Sequence, residues 1–196
     1  MPLTVVILPG NGCSPIRKCN WYHWAECEIK KRGFDVRMQD IPDPLYCREH
    51  IWTPFILNTL LKGFEDYSHV VLVGHSTGAV TALRLAEAHR FRALILVAAY
   101  RDPLGCPLQV GTGLFDRPFD WTAVAGNVDT IVQMASTDDC FLPLEEQLLV
   151  KTALGLGEED PHRMYLQFDH RDHFFEVPFP ELIERVQLIE ELSDQR

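Results

Sequence analysis

An α/β fold, with a mostly parallel sheet held between two helical layers, is what this sequence predicts. Two observations predict it. Short runs rich in valine, isoleucine and leucine alternate with helical patterns along the chain, and that alternation argues for a parallel sheet covered on both faces. At one junction, Val70-Val71-Leu72-Val73 runs through Gly74-His75-Ser76-Thr77-Gly78 into a helical pattern. A G-x-S-x-G turn between a strand and a helix reads as a nucleophile elbow.

The elements follow in order. Leu3–Leu8 is the first strand, Trp24–Lys31 the first helix and Asp35–Gln39 the second strand. Arg48–Leu61 reads as one helix, Val70–Val73 as the third strand, and Thr77–His89 as a helix with Leu83, Leu85 and Ala86 at helical spacing. Ala93–Val97 and Thr130–Met134 are the fourth and fifth strands, Leu144–Leu154 a helix and Arg163–Gln167 the sixth strand. Glu181–Leu192 closes the chain as a helix, with Leu182, Ile183, Val186 and Ile189 on one face. Arg101 to Asp120 is the long irregular stretch, with three prolines, three glycines, Phe115 and Phe119. A loop of that length is expected to be a lid, a binding segment or a plain surface connection.

The 196 residues are expected to form one domain, 1–196. A formal net charge of −10 argues against nucleic acid or an anionic membrane as partner. No apolar stretch is long enough to span a bilayer. Met1 to Leu8 lacks a charged leader and reads as a strand, not a signal peptide. The terminal Ser193-Asp194-Gln195-Arg196 matches no sorting or prenylation signal. The six cysteines, Cys13, Cys19, Cys27, Cys47, Cys106 and Cys140, form no C-x-x-C pair and are expected to be reduced. A cytoplasmic protein is the expectation.

The chemistry gathers around Ser76. Glycines two before and two after it relieve the clash of a tight turn and leave the hydroxyl exposed, and the helix N-terminus beneath favours negative charge. The competing reading is a strand-to-helix turn whose serine only caps the helix. A serine nucleophile needs a base, and the base needs an orienting acid. The fifth strand runs out into Ser136-Thr137-Asp138-Asp139, and a carboxylate past a strand's carboxyl end is where that acid belongs. Asp139, four positions before Pro143, is preferred over Asp138; either could instead be a turn or cap residue. The sixth strand leads into Asp169-His170-Arg171-Asp172-His173-Phe174. His173 is preferred as base because the following Phe174-Phe175 can pin its ring; His170 is the runner-up, and His170 and His162 otherwise read as solvated loop residues. His75 reads as a packing residue. For an oxyanion hole, two backbone N–H groups are needed. Thr77 supplies one, and the Asn11 or Gly12 N–H of Pro9-Gly10-Asn11-Gly12-Cys13 the other.

Rival motifs fail. A dinucleotide fingerprint would need glycine at Pro15, and no Gly-Lys-Ser/Thr ending makes a phosphate loop. His170-Arg171-Asp172 resembles a kinase catalytic loop, but no glycine-rich loop or D-F-G accompanies it. His170 and His173 could ligate a metal, but no third ligand is specified, so neither metal nor cofactor is expected. Trp21, Tyr22 and Trp24, with Phe115, Phe119 and Trp121, could wall an acyl pocket; the first three could equally be core for the first helix. Cys13 and Cys140 flank the oxyanion loop and the acid, where oxidation could inhibit, or they are bystanders.

Together, Pro9-Gly10-Asn11-Gly12, Trp21-Tyr22, Ile41-Pro42-Asp43-Pro44, Gly74-His75-Ser76-Thr77-Gly78 and Ser136-Thr137-Asp138-Asp139 resemble the retinoblastoma-binding protein 9 family of small serine hydrolases. The resemblance runs over nearly the whole chain. It implies an α/β-hydrolase fold lacking the first two strands of the full form, hence about six strands, and no large cap domain. It also implies Ser76, Asp139 and His173 as the triad, and ester, amino-acid-derivative or peptide hydrolysis as a guide to substrate. The L-x-C-x-E motif behind the family's name is absent: the matching stretch is Leu61-Lys62-Gly63-Phe64-Glu65, with Gly63 at the cysteine's place. That partner is not carried over. The expectation is a serine hydrolase cleaving a small carboxylic ester or amide through an acyl-enzyme on Ser76. The alternative is a non-catalytic binding module on the same scaffold. No spacing rule gives the oligomeric state.

Overall fold

The computed structural model describes residues 3–194; Met1, Pro2, Gln195 and Arg196, which the sequence reading included in the first strand's approach and the chain end, lie outside the described residues. Six parallel strands form one sheet: β1 (Thr4–Leu8), β2 (Asp35–Arg37), β3 (Tyr67–His75), β4 (Phe91–Val97), β5 (Val128–Ser136) and β6 (Arg163–Phe168), in the order β2-β1-β3-β4-β5-β6. The helices are α1 (Tyr22–Lys31), α2 (Glu49–Phe55), α3 (Thr77–Ala88), α4 (Trp121–Asn127), α5 (Leu144–Ala153) and α6 (Pro180–Asp194). Successive strand side chains point to opposite faces, and both faces are apolar. Val5, Ile7, Val71 and Val73 pack with Tyr22, Ile29, Val186 and Ile189 of α1 and α6. Val6, Leu8, Val70 and Leu72 pack on the other side with Trp52, Leu83, Val124 and Val150 of α2, α3, α4 and α5. That two-sided burial is why the strands read as unbroken apolar runs.

The expected elements are present, with differences at their limits. β3 and β5 extend beyond the expected Val70–Val73 and Thr130–Met134, because their polar outer residues still pair with neighbours. β2 is shorter than expected, since as an edge strand it meets only β1, over three registered pairs. The expected helix Arg48–Leu61 is two pieces: α2, with Pro54 inside it, then a wider π turn over Ile56–Leu60. Pro54 has no N–H for the carbonyl one turn back, which breaks the regular ladder. Helix α4 was not expected; the Asp120 carboxylate caps it by accepting the Ala123 N–H at 2.9 Å.

The register brings the carboxyl ends of the strands to one level. Leu8 pairs with Gly74, His75 with Val97, Val97 with Met134 and Ser136 with Phe168. The chain leaves β1 for β2 on one side and then returns to β3 on the other. Strand order therefore reverses between β1 and β3, and ligands of open α/β sheets bind at such a switch point. Ser76 follows β3 and Asn11 follows β1, so both sit there. Among the described residues no separate cap domain covers the sheet; the connection from β4 to α4 is built of turns.

Candidate active site

Ser76 has φ 55° and ψ −121°, a left-handed conformation that costs a non-glycine residue strain. The surrounding backbone enforces it. A Cβ at Gly74 would lie 2.5 Å from the Gly78 carbonyl oxygen, and one at Gly78 would run into the Leu8 carbonyl. Only glycine fits at either place, so the turn can press against β1. The Ser76 N–H donates to Val97 O at 2.9 Å, and its carbonyl accepts the Ala79 and Val80 N–H groups of α3. Thr77 is the first residue of α3, where backbone N–H groups have no partner within the helix.

Asp139 lies just past β5 with its side chain fully buried. Its Oδ1 accepts the Phe141 and Leu142 N–H groups, each at 2.9 Å. Both of its oxygens lie 2.9 Å from His173 Nδ1. An ionised carboxylate only accepts, so Nδ1 carries the hydrogen and Nε2 of the neutral ring keeps its lone pair. The His173 ring is wedged among Phe141 at 5.1 Å, Phe175 at 5.4 Å and His75 at 4.9 Å between centroids. Phe175, not Phe174, supplies the expected packing: Phe174 turns inward against Phe168 and Phe179. Ser76 and His173 line the same cavity. No hydrogen bond joins them among the described residues, and such contacts commonly tighten only in the complex with substrate.

Asp138 and His170, the second choices, sit elsewhere. Asp138 accepts the Ser136 hydroxyl at 2.6 Å and the Asp172 N–H at 3.0 Å, tying the loops after β5 and β6 together. The His170 side chain is 94% exposed, 4.0 Å from Asp138. One oxyanion candidate is corrected. The Gly12 N–H donates to the Pro44 carbonyl at 2.6 Å, so it is already committed to holding the loop. Asn11, the other candidate, lines the cavity. Thr77 Oγ1 lies 3.5 Å from Asn11 Oδ1 and 3.0 Å from Tyr100 Oη, and accepts Gln109 Nε2–H at 3.0 Å.

The cavity encloses about 420 Å³. Its apolar wall is Tyr100, Leu104, Leu108, Phe141, Leu142 and Phe175, with Asn11, Asn20 and Gln109 as polar points. For the first three aromatics the core alternative holds, and the later three do not wall this cavity. Trp21 and Tyr22 are buried in the core under α1, and Trp24 packs against that core. Phe119 and Trp121 stack on each other at 4.9 Å and line a separate groove with Phe115. Arg84 draws them there. Its guanidinium carbon sits 3.6 Å over Phe119, and it donates to the carbonyls of Leu114, Arg117 and Pro118. The first half of the 101–120 segment covers the cavity while the second half is anchored away from it. Sequence reading missed Arg84; a lone arginine in an apolar helix stretch was the available signal.

All six cysteines are free. Burial pushes the Cys13 thiol up to about 12, and the Asp172 carboxylate pushes Cys140 up to about 11. Thiols held protonated react slowly with oxidants, which favours bystanders over redox sensors. Among the described residues no group of three or more histidine, cysteine or acidic side chains is arranged to hold a metal ion. No described helix is long and apolar enough to cross a membrane.

No established family model matches the sequence. Serine hydrolase RBBP9 from Rattus norvegicus is 39% identical over 183 residues, covering 93% of this chain and 92% of that protein. The chain belongs to the RBBP9 family of serine hydrolases. The RBBP9-family fold has clear likenesses among solved structures. The ydeN gene product from B. subtilis has a TM-score of 0.78 at 19% identity, over 96% of this chain and 99% of that one. Est1E from Butyrivibrio proteoclasticus has a TM-score of 0.68 at 13% identity, over 99% of this chain and 88% of that one. The Pyrococcus furiosus esterase Pf2001 has a TM-score of 0.63 at 16% identity, over 96% of this chain and 80% of that one. At these identities the likeness is one of fold. Family membership in RBBP9 is what supports hydrolase activity.

Proposed function

We propose that this chain hydrolyses small carboxylic esters or amides through an acyl-enzyme on Ser76. His173 Nε2 takes the Ser76 proton as the hydroxyl attacks the carbonyl carbon, and Asp139 holds the imidazole's tautomer and stabilises the imidazolium. The Thr77 and Asn11 N–H groups receive the negative charge that develops on the carbonyl oxygen. The imidazolium then protonates the leaving alcohol or amine, and water, deprotonated by the same ring, releases the acid. The observation that carries this reading is the buried Asp139 carboxylate on His173 Nδ1 at 2.9 Å, in the cavity lined by the strained Ser76.

The apolar wall supports an apolar acyl group; amino-acid esters and aminoacyl amides remain within the proposed range. No cofactor enters the mechanism. A small-molecule substrate and a cytoplasmic location are proposed with it, the free cysteines supporting a reducing compartment. A fluorophosphonate probe tests the nucleophile, because it reacts with a serine activated by its neighbours. Labelling of the wild type and none of Ser76→Ala is the expected result, followed by turnover on a panel of esters and aminoacyl amides. An unlabelled wild type would sink the mechanism and favour the binding-scaffold alternative.

A further inference from the structure

Tyr22 and His75 have no part in the mechanism above, yet they stand between the loops that carry it. Tyr22, in the first turn of α1, is fully buried, and its Oη lies 2.6 Å from His75 Nδ1. The same oxygen accepts the Gly10 N–H at 2.9 Å and the Asn20 side-chain amide at 3.2 Å. On the far side of the ring, His75 Nε2 lies 2.8 Å from the His173 carbonyl oxygen. A carbonyl only accepts, so Nε2 carries the hydrogen and donates it. The neutral ring then has its lone pair at Nδ1, and the Tyr22 hydroxyl donates to it. Tyr22 Oη thereby uses its one hydrogen and both lone pairs. Burial and the neighbouring His173 hold His75 down to about 3, so the ring is neutral at physiological pH.

We infer that Tyr22 and His75 are positioning residues that lock the oxyanion loop and the base loop to each other across the nucleophile turn. The inference rests on the serine hydrolase mechanism proposed above. One end of the hydrogen-bond chain is Gly10, next to Asn11. Its middle is the residue before Ser76, and its other end is the backbone of His173. Oxyanion donor, nucleophile and base are thereby set by one buried unit. A displacement of about 1 Å in such a site costs roughly 100-fold in rate. Neither side chain touches the reacting atoms through this chain, so the cost falls on kcat and not on KM.

Two substitutions at His75 separate positioning from bulk packing. In His75→Gln the amide nitrogen reaches the place of Nε2 and still donates to the His173 carbonyl. In His75→Asn the amide reaches only the place of Nδ1, and the link to His173 is cut. With p-nitrophenyl butyrate, kcat of His75→Asn is expected at least about thirtyfold below that of His75→Gln, with KM of both within about twofold of wild type. Fluorophosphonate labelling rates give the same ratio where turnover of that ester is too slow to read. A ratio near one, or a loss carried in KM, overturns the inference. Should either variant fail to fold, heteronuclear NMR of the wild-type imidazoles decides. A His75 Nε2–H tautomer with a slowly exchanging proton upholds the hydrogen-bond chain, and an Nδ1–H tautomer breaks it. A wild type that neither hydrolyses nor labels breaks the hydrolase reading and this inference with it. A labelled wild type with a ratio near one breaks this inference alone.

Discussion

Two loops bound the same cavity and are held in opposite ways. The base loop after β6 is stitched to the loop after β5 by several polar bonds. The Asp172 N–H donates to Asp138 and the Cys140 N–H to Asp172, each at 3.0 Å; the Arg171 N–H donates to Ser136 Oγ at 3.1 Å; Arg171 pairs with Glu181. The cavity-covering segment 103–110 is tied mostly at short range: by its own backbone turns, by the Leu104 N–H donating to Asp102 at 2.8 Å and the Thr112 hydroxyl donating to the Gln109 carbonyl at 2.9 Å, and across the cavity by the Gln109 amide donating to Thr77 at 3.0 Å. It leaves Leu104 42% and Val110 64% exposed. Groups whose angles decide the chemistry are fixed by charge-assisted bonds. On the proposed mechanism, the groups that meet the acyl chain sit on a short-range scaffold that can yield to shape.

The largest expected effect lies on the stiff side. Asp139→Asn keeps the size of the side chain but can present a donor to Nδ1 and favour the wrong tautomer. It is expected to lower kcat by roughly 10³–10⁴-fold with KM little changed. A drop below tenfold in steady-state assays would remove Asp139 from the mechanism. On the yielding side, Leu104→Ala is expected to lower kcat/KM by about five- to tenfold for longer acyl chains, with acetyl esters nearly unaffected. An equal loss on acetyl and octanoyl esters would show that the segment shapes the reacting centre too.

Acid should separate the loops more subtly. Asp138 is held below the usual carboxylate range first by the Ser136 hydroxyl, and Asp172 first by the Cys140 thiol. A carboxylate depressed in the folded state contributes stability above its unfolded pKa of about 3.9, and loses it as pH falls through the folded value. Hydrogen exchange, corrected for intrinsic rate, is therefore expected to show Cys140, Arg171 and Asp172 amides losing protection below about pH 4. The Cys106, Gln109 and Val110 amides, which donate to backbone carbonyls, should change little over that window. Parallel loss in both segments would mean that the carboxylates do not distinguish them.

The stiff side was also the more legible in sequence. The elbow could be read from local glycines because its constraint is local: Gly74 and Gly78 face backbone that follows directly or belongs to the adjacent strand. The strand end pointed to Asp138 and Asp139 alike, Pro143 four positions on favoured Asp139, and the following aromatics favoured His173; the structure brings that pair together at 2.9 Å. The Tyr22–His75–His173 contacts span 53 and 98 residues, and no periodicity encodes pairings that arise only when the sheet closes. Gly12 was misjudged for the same reason, since its partner Pro44 belongs to the loop after the neighbouring strand. The later aromatics stand away from the cavity because buried Arg84 gathers the carbonyls of Leu114, Arg117 and Pro118, a pairing that no local spacing encodes.

The left-handed backbone at Ser76 sets stability and activity against each other at a single residue. Its φ of 55° and ψ of −121° suit glycine and strain serine. Ser76→Gly is therefore expected to be more stable than wild type by about 1 kcal/mol, and so to melt higher, while losing turnover altogether. On the proposed mechanism, selection for a sturdier fold alone would erase the nucleophile. A lower melting temperature in Ser76→Gly would show that the serine side chain contributes more to the fold than its backbone strain takes away.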